Sequence, residues 1–205
     1  MARDSRHRMV VSAASLIGSR GVNATSLSDV LVESRAPRGS IYHYFPAGKD
    51  QLVGDAMRWT MEQVLAYQRG CTAQSASGVI EHFVDLFRQS MASSRCRAGC
   101  PVAGVVIDTH SDGELVHLGR TSFRSWISLL TSQLESVGTP PKAARSLAIT
   151  TLASVEGALI LARAEGSVAP LEVVAEQLRR LSAPTAPRSR RTSKGGRSAR
   201  KVVSR

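Results

Sequence analysis

Side chains that can donate hydrogen bonds to nucleic acid are concentrated in the stretch RAPRGSIYHYFPAGK, residues 35–49. The planar guanidinium of Arg38 can bond O6 and N7 of one guanine, and the small residues Gly39 and Ser40 beside it allow close approach of the backbone. Phenol, imidazole and ammonium groups able to reach phosphates follow at Tyr42, His43 and Lys49. The chemistry to which this stretch is suited is base and phosphate recognition.

The same stretch holds three aromatic rings, at Tyr42, Tyr44 and Phe45, in a chain with only 4% aromatic residues. We expect Tyr42 and His43 to lie on the exposed side of a helix and Tyr44 and Phe45 to pack inward. The alternative, that all of these rings are buried, fits the usual behaviour of aromatic side chains at helical spacing.

Patterns typical of catalytic and metal sites are missing from the sequence. It has no glycine-rich phosphate loop, no Gly-x-Ser-x-Gly elbow and no paired carboxylates, so we expect no enzyme activity. Cys96 and Cys100 are separated by three residues, but a zinc site needs two further ligands, and His82, His110 and His117 lack ligand spacing. We expect no metal and no cofactor. The two cysteines are either small buried apolar residues or a redox-sensitive thiol pair.

The elements that must position the donors are helices, because apolar residues recur at helical spacing almost throughout. The pattern Met9, Val10, Ala13, Leu16, Ile17 predicts a first helix over about residues 4–20, ended by Gly21. A short helix capped by Thr25 or Ser26 should run to about Glu33, and Pro37 should open the next, with Ile41 and Tyr44 inward. Two short helices joined by a tight turn predict a helix-turn-helix, with Arg38 near the start of its second helix.

The rest of the chain reads as further helices bounded by Gly, Pro and Ser, which predicts an all-α protein of about nine helices. We expect a DNA-binding domain over 1–48, a helical domain over 49–183 and a disordered basic tail over 184–205. The tail carries eight Lys/Arg and no Asp/Glu, whereas residues 54–183 carry twelve of each. Charge confined to particular segments favours a polyanionic partner, although solubility alone would also explain the tail.

Composition limits the compartment. No apolar run approaches the roughly 18 to 20 residues of a membrane span, and charged residues interrupt the first twenty. Three cysteines fit a reducing environment better than a disulfide framework. We therefore expect a cytoplasmic protein without a membrane partner.

The segment ATSLSDVLVESRAPRGSIYHYFPAGKDQL resembles the N-terminal DNA-binding domain of the TetR family of bacterial transcriptional regulators, and the resemblance covers about residues 8–53. It implies a repressor that binds a near-palindromic operator as a homodimer and is released by a small apolar or aromatic ligand. By position, the implied DNA contacts are Thr25, Ser26, Arg38, Gly39, Ser40, Tyr42, His43 and Lys49.

Two details are similar to a subgroup of the family that answers to flavonoids and lincomycin-like drugs. One is FPAGK, which has one more residue between Phe and Lys than most of the family; together with the later CRAGCPVAG it supports the subgroup. Arg35 departs from the subgroup, which usually has Gly there. If position 35 is left-handed, Arg costs on the order of 1 kcal/mol.

The resemblance also implies a dimer interface and a ligand pocket. Small residues in the helix around residues 140–165, with the final helix beside it, favour a four-helix interface; the alternative is that both helices close the protomer's own core. The interface candidates are Ala144, Ala148, Thr151, Gly157, Ala158, Ala162, Leu171, Val174, Leu178 and Leu181. The pocket candidates are Met57, Met61, Phe87, Met91, His110, Phe123, Trp126, Ile127 and Glu156, each of which also suits an ordinary core or surface position.

Two rival functions stay open at this point. The basic tail and a helix-turn-helix could compact nucleic acid without sequence preference. Cys96 and Cys100 could make the protein a thiol-based redox-sensing regulator.

Overall fold

The computed structural model describes residues 2–109 and 113–183, with the side chains of residues 2–4 excepted. These residues form nine helices and no strand, which confirms the all-α prediction. The helices are α1 (Ala2–Arg20), α2 (Leu27–Ser34), α3 (Ser40–Tyr44), α4 (Lys49–Arg69), α5 (Ala76–Ser93), α6 (Pro101–Asp108), α7 (Glu114–Ser136), α8 (Pro141–Glu165) and α9 (Ala169–Leu181). The predicted tail, 184–205, lies outside the described residues.

The first helix presents the apolar face that the sequence predicts, with Met9, Val10, Ala13, Leu16 and Ile17 all buried. It ends before Gly21, whose φ of +83° lies in the left-handed region. The N-terminus of α2 carries a capping box, in which the hydroxyl of Ser26 accepts from the Asp29 amide and the Asp29 carboxylate accepts from the Ser26 amide. These hydrogen bonds lower the pKa of Asp29.

The second helix of the motif is shorter than predicted, because α3 begins at Ser40 and not at Pro37. Residues 37–40 form a turn closed by a 3.0 Å hydrogen bond from the Ser40 amide to the Pro37 carbonyl. Ile41 is buried, as predicted, and Tyr44 is half-buried. Arg38 therefore lies in the turn that leads into α3.

The larger part of the molecule packs around α7. Leu130 and Leu134 of this helix are fully buried, and the Trp126 indole N–H donates to the Met61 carbonyl of α4 at 3.2 Å. Arg88 joins α5 to α9, because it pairs with Glu172 of α9 as well as with Glu81 and Asp85 of its own helix. These contacts make α4, α5, α7, α8 and α9 one bundle.

The first helix is held against the α6 region at both ends of α6. A Cβ on Gly18 would lie 2.5 Å from the carbonyl oxygen of Gly99, so the two backbones cross in van der Waals contact. At the other end, the Asp108 carboxylate accepts from the amides of Val22 (2.7 Å) and Asn23 (3.4 Å). The helix-turn-helix is thereby fixed to the bundle by contacts on either side of α6.

By length and composition α8 could cross a membrane, whereas the sequence analysis expected no such segment. None of the other described helices meets this test. Its inward residues, such as Leu152 and Val155, are buried in the bundle. The high hydropathy arises because the outward face of α8 is apolar as well.

Candidate nucleic-acid interface and effector cleft

The residues predicted to contact DNA form two groups in the structure. Arg38, Tyr42 and His43 are exposed on and just before α3, and 69% of Tyr42 is accessible. The guanidinium of Arg38 has no hydrogen-bond or ion-pair partner among the residues described. An unpaired, solvent-exposed guanidinium at the start of a short helix can accommodate a base edge without first breaking a contact.

Gly39 adjoins Arg38 on this surface, and the protein itself gives no reason for a glycine there. Its φ is −72°, which any residue adopts, and a Cβ would meet no protein atom within 4 Å. Ser40 is half-buried, and its hydroxyl donates to the Pro37 carbonyl, which closes the turn. The open space at Gly39 leaves room for a second molecule to approach the backbone.

Thr25 and Ser26 serve the fold in this structure. Only 4% of Thr25 is exposed, and its hydroxyl donates to the Gly21 carbonyl at 2.8 Å. The Ser26 hydroxyl is engaged in the capping box of α2. Both side chains are therefore already bonded within the protein, whereas those of Arg38, Tyr42 and His43 face solvent.

Lys49 is the first residue of α4 and is half-buried. The preceding Gly48 has φ +76° and ψ −146°, a backbone conformation that is essentially restricted to glycine. The additional residue in FPAGK is therefore accommodated only because it is a glycine.

The remaining rings of the cluster hold the motif together, as predicted. Phe45 is 1% exposed, and the guanidinium of Arg6 from α1 lies over its ring at 5.4 Å from the centroid. Tyr44 meets the His43 ring edge-on at 5.0 Å between centroids. Packing of Phe45 and Ile41 fixes the orientation in which α3 presents its outer face.

The predicted ligand residues are dispersed. Met57 and Met91 are fully buried, Phe123 packs edge-on against Trp126, and Met61 and Ile127 are half-buried. His110 lies outside the described residues. Only Phe87 and Trp126 of the predicted set border a cavity that lies beside α1.

This cavity, which we call the α1 cleft, has a volume of about 760 Å³ and lies between α1 and the bundle. Its walls come from α1, α4, α5 and the loop 94–100, and they include residues that the sequence did not indicate: Ser15, Ser19, Arg20, Glu33, Trp59, Gln63, Ser90, Arg97 and Gly99. Apolar periodicity did not indicate them, because they belong to separate helices and a loop and meet only in the folded chain.

Glu156, inside α8, and Cys100, just before α6, form a buried polar contact. Burial raises the pKa of Glu156 to about 7, and its hydrogen bond with the Cys100 thiol opposes that rise. One carboxyl oxygen, Oε1, is buried without a hydrogen-bond partner among the described residues. Burial also raises the pKa of the Cys100 thiol, which disfavours the reactive thiolate.

Cys96 and Cys100 are both free and both buried, as the apolar interpretation of these residues predicts. No group of three or more potential metal ligands occurs within the described ranges.

Most of the interface candidates pack inside one protomer, as the alternative interpretation of these helices predicts. Ala144, Ala148, Thr151, Ala158, Ala162, Leu171 and Leu178 are all buried in the single chain. A different face of α8 is left uncovered and apolar, with Ile149, Ala153, Gly157, Ile160 and Leu161 exposed at successive turns. Val173 and Leu181 extend it onto α9. We call this surface the α8–α9 stripe.

Comparison with known proteins agrees with this architecture. Residues 10–56 match the family model described as bacterial regulatory proteins, tetR family, and residues 76–177 match that of the transcriptional regulator LmrA/YxaF-like C-terminal domain. An uncharacterised HTH-type transcriptional regulator of Mycobacterium tuberculosis is 38% identical over 182 residues, covering 86% of this chain and 93% of that protein. The HTH-type transcriptional regulator LmrA of Bacillus subtilis is 26% identical over 173 residues, covering 82% and 91%.

Among solved structures, a TetR transcriptional regulator from Legionella pneumophila superimposes with a TM-score of 0.76 at 26% identity, covering 84% of this chain and 94% of that one. Both halves of the fold match transcriptional regulators, in the order found in those proteins, and such regulators are not enzymes. The chain belongs to the TetR family of bacterial regulatory proteins.

Proposed function

We propose that this protein is a cytoplasmic, homodimeric repressor that binds a near-palindromic operator and is released by a small ligand. The observation that carries the DNA-binding part is the exposed Arg38, which has no partner among the described residues. It lies beside Gly39 in the turn that leads into α3, a helix fixed by Ile41 and Phe45. Arg38 reads a guanine, while Tyr42, His43 and Lys49 contact phosphates. Thr25 and Ser26 support these contacts by holding the N-terminus of α2.

The α8–α9 stripe supports the homodimer. Its exposed apolar residues lie on two adjacent helices, and pairing with the same face of a second copy would form a four-helix interface. Gly157, at its centre, lets the two copies of α8 approach closely, because a Cβ there would meet nothing within its own chain. An isologous dimer has two recognition helices related by a twofold axis, which requires a near-palindromic operator.

Ligand control needs only that the effector bind one arrangement of the dimer more tightly than the other. The α1 cleft supports this part of the proposal, since its volume lies within the range of small-molecule sites and it contains Phe87 and Trp126. The other apolar residues predicted for the pocket contribute to core packing: Met57, Met61, Met91, Phe123 and Ile127.

The test is operator binding by an Arg38 variant. An operator is first selected by the protein from random duplexes, and binding is then measured by fluorescence anisotropy. Arg38→Ala should weaken operator binding by roughly 1 to 3 kcal/mol and relax base preference at one position in each half-site. Arg69→Ala, at an exposed arginine near the end of α4, is the matched control and should bind like the wild type. Equal binding by Arg38→Ala and the wild type would refute the assignment of base reading to Arg38.

A further inference from the structure

The α1 cleft is built from both parts of the molecule, and this placement determines what a bound molecule would touch. Ser15, Ser19 and Arg20 of α1 form one wall, and the loop 94–100 forms another. Directly beside it, α1 and that loop cross at Gly18 and Gly99. Anything that fills the cleft therefore bears on the helix that carries the helix-turn-helix.

The loop wall is held in a strained conformation. Arg95 and Cys96 are consecutive non-glycine residues with φ of +54° and +57°, and the Cys96 amide donates to the Met91 carbonyl at 2.7 Å. Two left-handed residues in succession are maintained only where the surroundings impose them, and such strain concentrates at functional sites. Here the strained backbone at Arg95 and Cys96 positions the next residue, Arg97, at the wall of the cleft.

Charge and shape in the cleft define a chemical class. Arg97 is exposed, and within the described chain its guanidinium donates only to the Ser94 carbonyl, at 3.4 Å, and has no acidic partner. Arg20 lies on the α1 wall and has a carboxylate, that of Asp29, at 3.9 Å, and Glu33 is the acidic residue among those that line the space. The half-buried indole of Trp59 provides an apolar surface in the cleft, and the buried Phe87 and Trp126 border it. The cleft thus combines aromatic side chains with an arginine that has no acidic partner in the described part of the chain.

We propose that the α1 cleft is a binding site for a small aromatic carboxylate. Its ring packs against Trp59, where Phe87 and Trp126 border the cleft, and its carboxylate accepts hydrogen bonds from Arg97. The ligand lies between α1 and the loop 94–100 and so changes the position of α1 relative to the bundle. The regulatory consequence rests on the proposed DNA-binding function, whereas binding itself does not.

The probe is 2-naphthoate, with the uncharged isostere 2-naphthamide as its control. Both tryptophans of the chain border the cleft, so quenching of their fluorescence reports occupancy, and calorimetry gives the affinity independently. Wild-type protein should bind 2-naphthoate saturably and at least about tenfold more tightly than 2-naphthamide, because the amide cannot form the charge-assisted hydrogen bond. Absence of saturable binding, or equal affinity for acid and amide, would overturn the proposal.

Three variants locate the site. Arg97→Ala should lose about tenfold or more in affinity for 2-naphthoate with little change for 2-naphthamide, while Arg120→Ala, at an exposed arginine of α7, should behave as wild type. Ser15→Phe, an exposed position on α1, should block binding of both compounds. Thermal melts confirm that each variant is folded. Unchanged binding of 2-naphthoate by Arg97→Ala would show that Arg97 does not bind the carboxylate. Unchanged binding by Ser15→Phe would show that α1 does not form part of the site.

The last measurement separates this proposal from the preceding one. Saturating 2-naphthoate should lower the affinity of wild-type protein, but not of Arg97→Ala, for the selected operator. Binding of 2-naphthoate without any effect on operator affinity would overturn the coupling through α1. Failure of the wild type to select an operator at all would overturn the proposed function and leave the binding result standing.

Discussion

Arg35 ends α2 in the left-handed conformation, with φ +51° and ψ +38°, and its amide donates to the carbonyls of Leu31 and Val32. This geometry is that of a helix C-cap, where glycine is favoured because it has no Cβ. The sequence predicted a cost for Arg at position 35 if that position is left-handed, and in the structure it is. The strain lies in the turn of the helix-turn-helix, next to the proposed DNA contacts.

Replacing this residue, Arg35→Gly, should raise the free energy of unfolding by about 0.5 to 1 kcal/mol, since relief of the left-handed strain exceeds the added entropy of the unfolded chain. Urea unfolding followed by circular dichroism measures the change. Glu33→Gly, two residues earlier and still helical, is the matched control and should lower stability by about 1 kcal/mol. A loss of stability in both variants would show that the turn does not strain Arg35.

Glu156 gives stability a pH dependence of known sign. Its pKa is about 7 in the folded protein, above the ordinary value of 4.5, so the folded state holds a proton that the unfolded state has already released. Its contribution to stability is therefore largest below about pH 4.5 and is lost as the pH rises to 7. Glu156→Gln should be more stable than wild type by about 1 to 3 kcal/mol at pH 8.5 and equal to it near pH 4.5.

Urea unfolding at the two pH values measures this difference. Glu165→Gln, at an exposed position on the same helix, should not alter the pH profile. If the wild type and Glu156→Gln showed the same dependence, the carboxyl group would have to be ionised and compensated in the folded protein.

At the scale of elements, the sequence predicted the features that apolar periodicity and capping residues determine, namely the buried faces and the ends of helices. The buried face of α1 and the Ser26 cap are local, and both were found. The start of α3 at Ser40 was missed by three residues because residues 37–40 close a turn whose hydrogen bond the Pro37 pattern does not reveal. The α1 cleft could not be predicted, since Arg20, Trp59 and Arg97 become neighbours only through the crossing of α1 with the loop 94–100.

The crossing of α1 with the loop 94–100 can be tested by adding one methyl group at Gly18. Ala is favoured over Gly in a helix interior by about 1 kcal/mol, so propensity alone predicts that Gly18→Ala is stabilising. Its Cβ, however, would lie 2.5 Å from the Gly99 carbonyl oxygen, a backbone atom that cannot rotate away. We expect packing to prevail and the melting temperature to fall, with a loss of about 1 to 3 kcal/mol. Gly39→Ala, which meets nothing within 4 Å, is the control and should not be destabilised. A rise in stability for Gly18→Ala would mean that α1 and the loop separate without cost.

At the scale of the whole molecule, positive charge is distributed unevenly along the chain. Eight of the 27 Lys/Arg residues lie in 184–205, with no acidic residue, while the proposed base reading rests on a few residues around α3. A repressor and a nucleic-acid compaction protein would use these two sources of affinity differently. In the repressor, α3 provides sequence preference and the tail only adds attraction to phosphates.

Deleting residues 184–205 should therefore reduce affinity for all DNA while preserving the preference for the selected operator. For every phosphate that the tail no longer neutralises, the slope of log K against log salt concentration should become shallower by about 0.9. Anisotropy titrations with operator and random duplexes at several salt concentrations measure both quantities. A chain of full length whose tail arginines and lysines are replaced by glutamine is the control, and it should match the deletion because the effect is one of charge. If the operator preference disappeared together with the tail, sequence reading by α3 would be refuted and compaction would become the better account of the protein.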